Sequence, residues 1–176
     1  GSLYAQLDLG EIYSPLKGLR YRFNFGPDFR YYRNGTFRNE ESISSEGKNR
    51  ASLSNQSDFS WTLDNLIYYD KEIGKHSFGL TLLQSATGYH YEESSMAAEG
   101  IPLESAKWNA LTKENISLLD EWNSGLVEKQ LLSYMFRVNY DYNNKYLLTI
   151  SGRWDGASQL AEGNKWAFFP SAALGW

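Results

Sequence analysis

The sequence contains no cysteine. Disulfides, thiolate metal sites and a thiol nucleophile are therefore excluded. Histidine is nearly as scarce: His76 and His90 are the whole complement, and neither stands at a metal-ligand spacing. Apolar runs are short, and none approaches the ~20 residues of a membrane-spanning helix. Mean hydropathy is −0.54. A helical membrane protein is thereby excluded, but a membrane β-barrel is not, because alternating strands average out as hydrophilic. Positive charge is not in excess either. The formal net charge is −4, which argues against a nucleic-acid partner. No secretory leader is visible at the start.

Aromatic residues are abundant: 13 Tyr, 9 Phe and 6 Trp make up 16% of 176 residues. They fall on every second position. Leu132, Tyr134, Phe136, Val138, Tyr140 and Tyr142 interleave with Ser133, Met135, Arg137, Asn139 and Asp141. Tyr146, Leu148, Ile150, Gly152 and Trp154 interleave with Lys145, Leu147, Thr149, Ser151 and Arg153. Period-2 alternation is the signature of strands with one apolar face. The intervening Asn143-Asn144 is a tight-turn pair, since Asn tolerates positive φ. The same alternation marks Leu19–Tyr31, with Arg20 and Arg22 on the polar side, and Phe59–Tyr69. His76–Tyr91 and Trp166–Trp176 are further strands, and Leu3–Leu9 is a weaker one.

About seven long strands follow. Their connections differ in length. Short ones are expected near Ser14–Lys17, Lys71–Lys75 and Asn143-Asn144, long ones over Asn34–Asn49 and Ser94–Gly125, and a medium one over Gly156–Asn164. Short turns on one side and long loops on the other are the pattern of an outer-membrane barrel. The longest loop has room for a short helix starting near Pro102. Pro27 and Pro170 lie inside strand-like runs, where each needs a bulge or a missing ladder bond.

A soluble β-sandwich also alternates. Three features favour a membrane wall. Aromatics gather at the ends of the apolar faces, with Tyr140, Tyr142 and Tyr146 at one turn, Tyr68 and Tyr69 near another, and Trp154 and Trp166 toward the far end, as interfacial girdles require. Tyr146 to Trp154 spans about 27 Å of strand, or about 20 Å when tilted, near the ~25 Å apolar band of such barrels. The polar faces carry charge in mid-strand, and the strands exceed the usual ~5–6 residues.

Specific motifs extend this reading. Arg137-Val138-Asn139-Tyr140, Tyr146-Leu147-Leu148-Thr149, Arg153-Trp154-Asp155-Gly156-Ala157-Ser158 and Trp166-Ala167-Phe168-Phe169-Pro170-Ser171 follow one another in order. Together they resemble the mid-barrel region of the SusC/RagA family of TonB-linked outer-membrane proteins of Bacteroidetes. Upstream, Gly18–Gly26, Asn65–Tyr69, Gly74–Phe78, Leu83–Ser85 and Ser94–Met96 are similar to the same family. Ala157 stands where Ser is commoner, and Pro27 where an apolar residue is expected. The resemblance implies an all-β antiparallel meander of about seven long strands. It would be part of a transmembrane β-barrel of about 22 strands closed around a plug. Residues 1–176 are then expected to be a partial barrel domain, without plug, N-terminal region or remaining strands, because an open sheet cannot sit in lipid with unpaired edges. The resemblance also implies uptake of an oligosaccharide or peptide across the outer membrane, with a SusD-like surface lipoprotein and the TonB complex as partners and membrane lipid against the wall. No cofactor or metal is expected.

Candidate substrate contacts are Tyr89, Tyr91, Trp108 and Trp122, aromatic side chains in or near the long loops, where rings stack on sugar faces. The alternative is that they pack the loops or meet a partner. Arg20, Arg22, Arg137, Asp141, Arg153 and Asp155 are expected to face the lumen, touching plug or substrate, or pairing across strands as structure. Catalysis is not expected. Asp58 with Asp64, or Glu92 with Glu93, resemble a hydrolase pair only as carboxylates near one another, and Glu40, Glu41 and Glu46 lack the oxygen-ligand spacing of a calcium loop. The competing class is a soluble glycan-binding β-sandwich, which would bury its Tyr and Trp.

Overall fold

The computed structural model describes residues 1–43, 47–101, 104–113 and 118–176. Its strands are β1 (Leu3–Asp8), β2 (Leu19–Arg38), β3 (Arg50–Ile73), β4 (His76–Glu99), β5 (Leu118–Tyr142), β6 (Tyr146–Ala157) and β7 (Trp166–Gly175). They form one seven-stranded sheet in sequence order, β1-β2-β3-β4-β5-β6-β7. The expected all-β antiparallel meander is therefore the observed one. The chain divides into two compact units: residues 1–28, 60–89 and 129–176 form the first, and 29–59 and 90–128 the second.

In the first unit, local chemistry sets each turn. Gly74, between β3 and β4, has φ 61° while Lys75 does not leave negative φ, the arrangement of a Gly-X type II′ hairpin. Asn143 and Asn144, between β5 and β6, both take left-handed φ of 56° and 53°, as type I′ demands. Lys145 N closes that turn on Tyr142 O at 3.1 Å, and Asp141 Oδ1 accepts from Asn144 N at 2.7 Å. Between β1 and β2 the chain forms one helical turn, α1 (Leu9–Ile12), whose N-cap Asp8 accepts from Gly10 N at 3.0 Å. A 3₁₀ turn over Ser14–Leu16 follows, with Pro15 in its first turn.

The register fixes which residues share a face. Across β5, β6 and β7, Tyr134 meets Trp154 and Phe168, Phe136 meets Gly152 and Pro170, Val138 meets Ile150 and Ala172, and Tyr140 meets Leu148 and Leu174. The apolar runs read from the sequence thus form continuous rows. Pro170 lies inside an unbroken register and requires no bulge there. Glycine admits the large rings: a Cβ on Gly152 would stand 2.5 Å from Phe136 and 2.8 Å from Phe168, and one on Gly156 2.8 Å from Trp166.

The second unit has a small core. Ala51, Ile101 and Ala110 are buried, with Phe37, Ala106, Trp108 and Leu111 against them. Asn49 joins the two connecting segments to it: its O accepts from Gly100 N at 2.8 Å, and its side chain donates to Ile101 O at 3.1 Å. A 3₁₀ segment over Glu104–Ala110 is kinked at Lys107, which has φ 48°. The long connections are shorter than expected, because β2 runs to Arg38, β4 to Glu99, and β5 begins at Leu118. Pro102 and Glu46 lie outside the described residues.

Candidate functional site

The candidate site is the sheet itself, read one face at a time. In the first unit the apolar face ends in rings. At the turn end His76 and Tyr142 have centroids 5.0 Å apart, Phe78 and Tyr140 5.0 Å, and Tyr142 and Tyr146 6.4 Å. His76 Nδ1 and Tyr140 Oη are 2.8 Å apart. Farther along, Trp154 stacks on Phe168 at 4.3 Å and Tyr134 on Trp166 at 6.1 Å. The register thus separates a Tyr-His end from a Trp end, as the girdle reading expects. Trp166 is 52% exposed, Ile150 43% and Leu174 81%.

One hydrogen-bonded trio interrupts this face. Tyr21 Oη donates to Asn65 Oδ1 at 2.6 Å, and Asn65 Nδ2 donates to Gln84 Oε1 at 2.6 Å. These groups border an apolar hollow that includes Ile67, Leu82, Tyr134, Phe136 and Trp154. The sequence reading placed Asn65 and Gln84 within family-like segments but gave neither a role. Their parity was the available signal, since each falls on the apolar positions of its run. The two amides satisfy one another, which is what tolerates them beside aromatic neighbours.

The opposite face carries the charges. Arg137, Asp141, Arg153 and Asp155 occupy the odd positions of β5 and β6, paired with Ser151, Leu147, Met135 and Ser133. Arg153 Nε donates to both Asp155 oxygens at 2.8 and 2.9 Å, and its Nη2 reaches Ser133 Oγ at 3.3 Å. Asp141 is occupied by its own turn. On β2, Arg20 forms an ion pair with Asp70 and lies 5.5 Å from the Tyr68 ring. Tyr68 therefore belongs to the polar face and not to an aromatic girdle. Arg22 lies 4.9 Å over Tyr4 and donates to Asn24 at 2.9 Å. Five of the six charges expected on this face are thus held by neighbours; Arg137 is exposed.

The four aromatic contact candidates have different surroundings. Tyr89 lies in β4 within the first unit, beside Trp61, Lys129 and Gln159. In the second unit, Tyr91 Oη donates to Glu93 Oε2 at 2.5 Å. Trp108 packs over Gly35, where an added Cβ would come within 2.5 Å of its ring, and against the small core. Trp122 is 79% exposed, and it lies within strand β5, not in a loop.

The second unit also holds a charge cluster that sequence reasoning missed. His90 Nε2 is 3.0 Å from Glu92 Oε1, and Nδ1 is 3.0 Å from Glu128 Oε1. A carboxylate only accepts, so both contacts are satisfied only by the imidazolium. Hydrogen bonds to Glu92 and then Glu128 accordingly raise the His90 pKa. Lys48 pairs with Glu99 at 2.9 Å and Arg50 with Glu99 at 3.3 Å, and the Lys48 hydrogen bond holds the Glu99 carboxyl below its usual range. Among the described residues no group of three His, Asp or Glu is arranged to hold a metal ion.

A single sheet, aromatic and apolar on one side and charged on the other, defines a section of barrel wall. The comparisons with known proteins agree. The chain is 33% identical to a TonB-dependent receptor of Formosa agariphila over 172 residues, covering 93% of this chain and 17% of the relative. It is 30% identical to the TonB-dependent receptor SusC of Bacteroides thetaiotaomicron over 167 residues, covering 89% of this chain and 16% of SusC. Among solved structures, the RagAB peptide transporter matches with a TM-score of 0.82 at 21% identity, over 97% of this chain and 18% of that one. No family model matches. Over nearly its whole length, then, the chain is similar to one section of SusC-like TonB-dependent receptors. It spans about one sixth of the length of the curated relatives it matches.

Proposed function

We propose that this chain is a wall section of a TonB-dependent nutrient importer in the outer membrane. The observation that carries the proposal is where apolar surface is not buried. Among the described residues the five buried apolar ones, Ala51, Ala97, Ala98, Ile101 and Ala110, all lie in the second unit. Among the described residues the first unit buries no apolar side chain, although its rows of Tyr, Trp, Phe, Ile and Leu are continuous. A soluble β-sandwich would cover such a face with its second sheet. Lipid covers it without one.

In this reading residues 1–176 are one part of a larger barrel domain. The girdle-bounded stretches of the first unit, such as 76–88, 132–142 and 146–156, cross the bilayer. The face of Arg20, Arg22, Arg137, Asp141, Arg153 and Asp155 lines the lumen, where paired charges keep a wet surface. Tyr89, Tyr91 and Trp122 are offered to an oligosaccharide or peptide, while Trp108 is committed to packing. A SusD-like surface lipoprotein is the expected partner at the loops, and the TonB complex acts through parts outside these residues. The role is transport and not catalysis. The curated relatives are named as receptors.

The test is fractionation of source cells, probed with an antibody to the 94–125 segment. The expected result is a signal in the outer membrane that resists alkaline extraction, in a band well above 20.2 kDa. A signal confined to the soluble fraction would sink the wall reading and favour a soluble glycan-binding sandwich.

A further inference from the structure

The turn end of the first unit has a chemistry that the wall reading alone does not require. Lys75 lies in the β3–β4 turn and Lys145 in the β5–β6 turn. The two turns are joined, because Asn143 N donates to Lys75 O at 2.8 Å. Lys71 shares the parity of Tyr69 and Ile73 on β3 and so lies on the apolar face. The Lys145 ammonium is held 5.7 Å from the Tyr146 centroid, beside the His76, Tyr140 and Tyr142 rings already described. All three lysines are exposed, and among the described residues none has an ion pair.

Three carboxylates of this end are engaged, although Asp8, Glu11, Asp70 and Glu72 border one hollow with Lys71. Asp70 is paired with Arg20, Asp141 caps Asn144 N, and Asp8 caps α1. Glu72 alternates with Lys71 and takes the polar side, and Glu11 lies on α1. Lys71 thus shares the aromatic face and Lys145 stands against one of its rings, while Arg20 stays on the polar side with Asp70. Lysines bordering an aromatic belt match a bilayer interface, where phosphates sit just outside the ring level. A lysine near an anionic membrane surface favours association by about fivefold.

We infer that Lys71, Lys75 and Lys145 form a binding site for the phosphate headgroups of anionic phospholipid, with the His76, Tyr140, Tyr142 and Tyr146 rings as its floor. This rests on the wall reading, and the test separates the two. The protein, expressed at its natural length, is placed in nanodiscs of phosphatidylcholine and phosphatidylglycerol in equal amounts. Retained lipid is identified by native mass spectrometry, and insertion is read from quenching of tryptophan fluorescence by brominated acyl chains.

The expected result is quenching together with a retained pool enriched in phosphatidylglycerol by about tenfold or more. The enrichment should vanish in the Lys71→Gln/Lys75→Gln/Lys145→Gln variant and persist in Lys113→Gln, a lysine of the second unit. Quenching with no headgroup preference, or a preference that survives the triple variant, overturns the headgroup site and leaves the wall. Absence of quenching in every sample overturns both.

Discussion

The two units carry the same kind of strand and treat apolar surface in opposite ways. The second unit behaves like an ordinary small domain: it sequesters Ala51, Ile101 and Ala110 and ties its loops down through Asn49. The first unit leaves Trp154, Ile150, Phe168 and Leu174 on its outside. Its charges are the better organised groups, paired as Arg20–Asp70 and Arg153–Asp155. The difference teaches that alternation states only that two faces differ. Which face is inside depends on the solvent, and on the proposed wall reading the two units meet different ones.

The comparison can be broken most sharply at Ile150. Ile150→Arg places a charge in the middle of the apolar rows and should cost about 2–4 kcal/mol in lipid vesicles, read by guanidinium titration. Thr149→Arg, one residue away on the charged face, should cost under about 1 kcal/mol. Equal costs would remove the distinction between the faces. In the second unit, Ile101→Ala empties a fully buried site and should cost about 2–4 kcal/mol. Amide exchange should quicken at Gly100 and Thr112 and stay unchanged across β6, and exchange rising equally in both units would undo the separation.

Gly152→Ala tests the ring rows: the new Cβ meets Phe136 at 2.5 Å, and the rings must shift, at about 1–3 kcal/mol. Gly26→Ala meets nothing within 4 Å and should stay within about 0.5 kcal/mol. The smallest effect belongs to His90. Its folded pKa is raised by Glu92 and Glu128, so its contribution is fully present below the unfolded imidazole pKa. The contribution is lost as pH rises through the folded value. An NMR titration of His90 should show the elevation, and Glu92→Gln/Glu128→Gln should abolish it.

Much of the first unit was legible because each strand pairs with its sequence neighbour. Parity alone therefore assigns the faces of β5, β6 and β7, and Asn143-Asn144 announces its turn. The second unit was harder for a physical reason. Residues such as Glu92, Glu93, Ser94 and Ser95 are polar on both parities, so the stretch carries no contrast and reads as loop. That is why Ser94–Glu99 and Leu118–Gly125 were expected to be connections. Asn65 and Gln84 were obscured in the opposite way: each is a polar residue inside an apolar run, and only the fold shows that they meet. Trp108 was offered both as a substrate contact and as a packing residue, and its contacts with Gly35 and the small core fit the second.

The sequential order of the seven strands bears on how such a wall changes over generations. Every pairing is between neighbours in the chain, and the turns after β3 and β5 close within a few residues. A hairpin is thus a self-contained unit of heredity: gene duplication that inserts or removes one keeps every other pairing and every face assignment intact. A connection between two such strands can lengthen without shifting the register of the strands it joins. A sheet built this way can change a connection while its strand pairings stay the same.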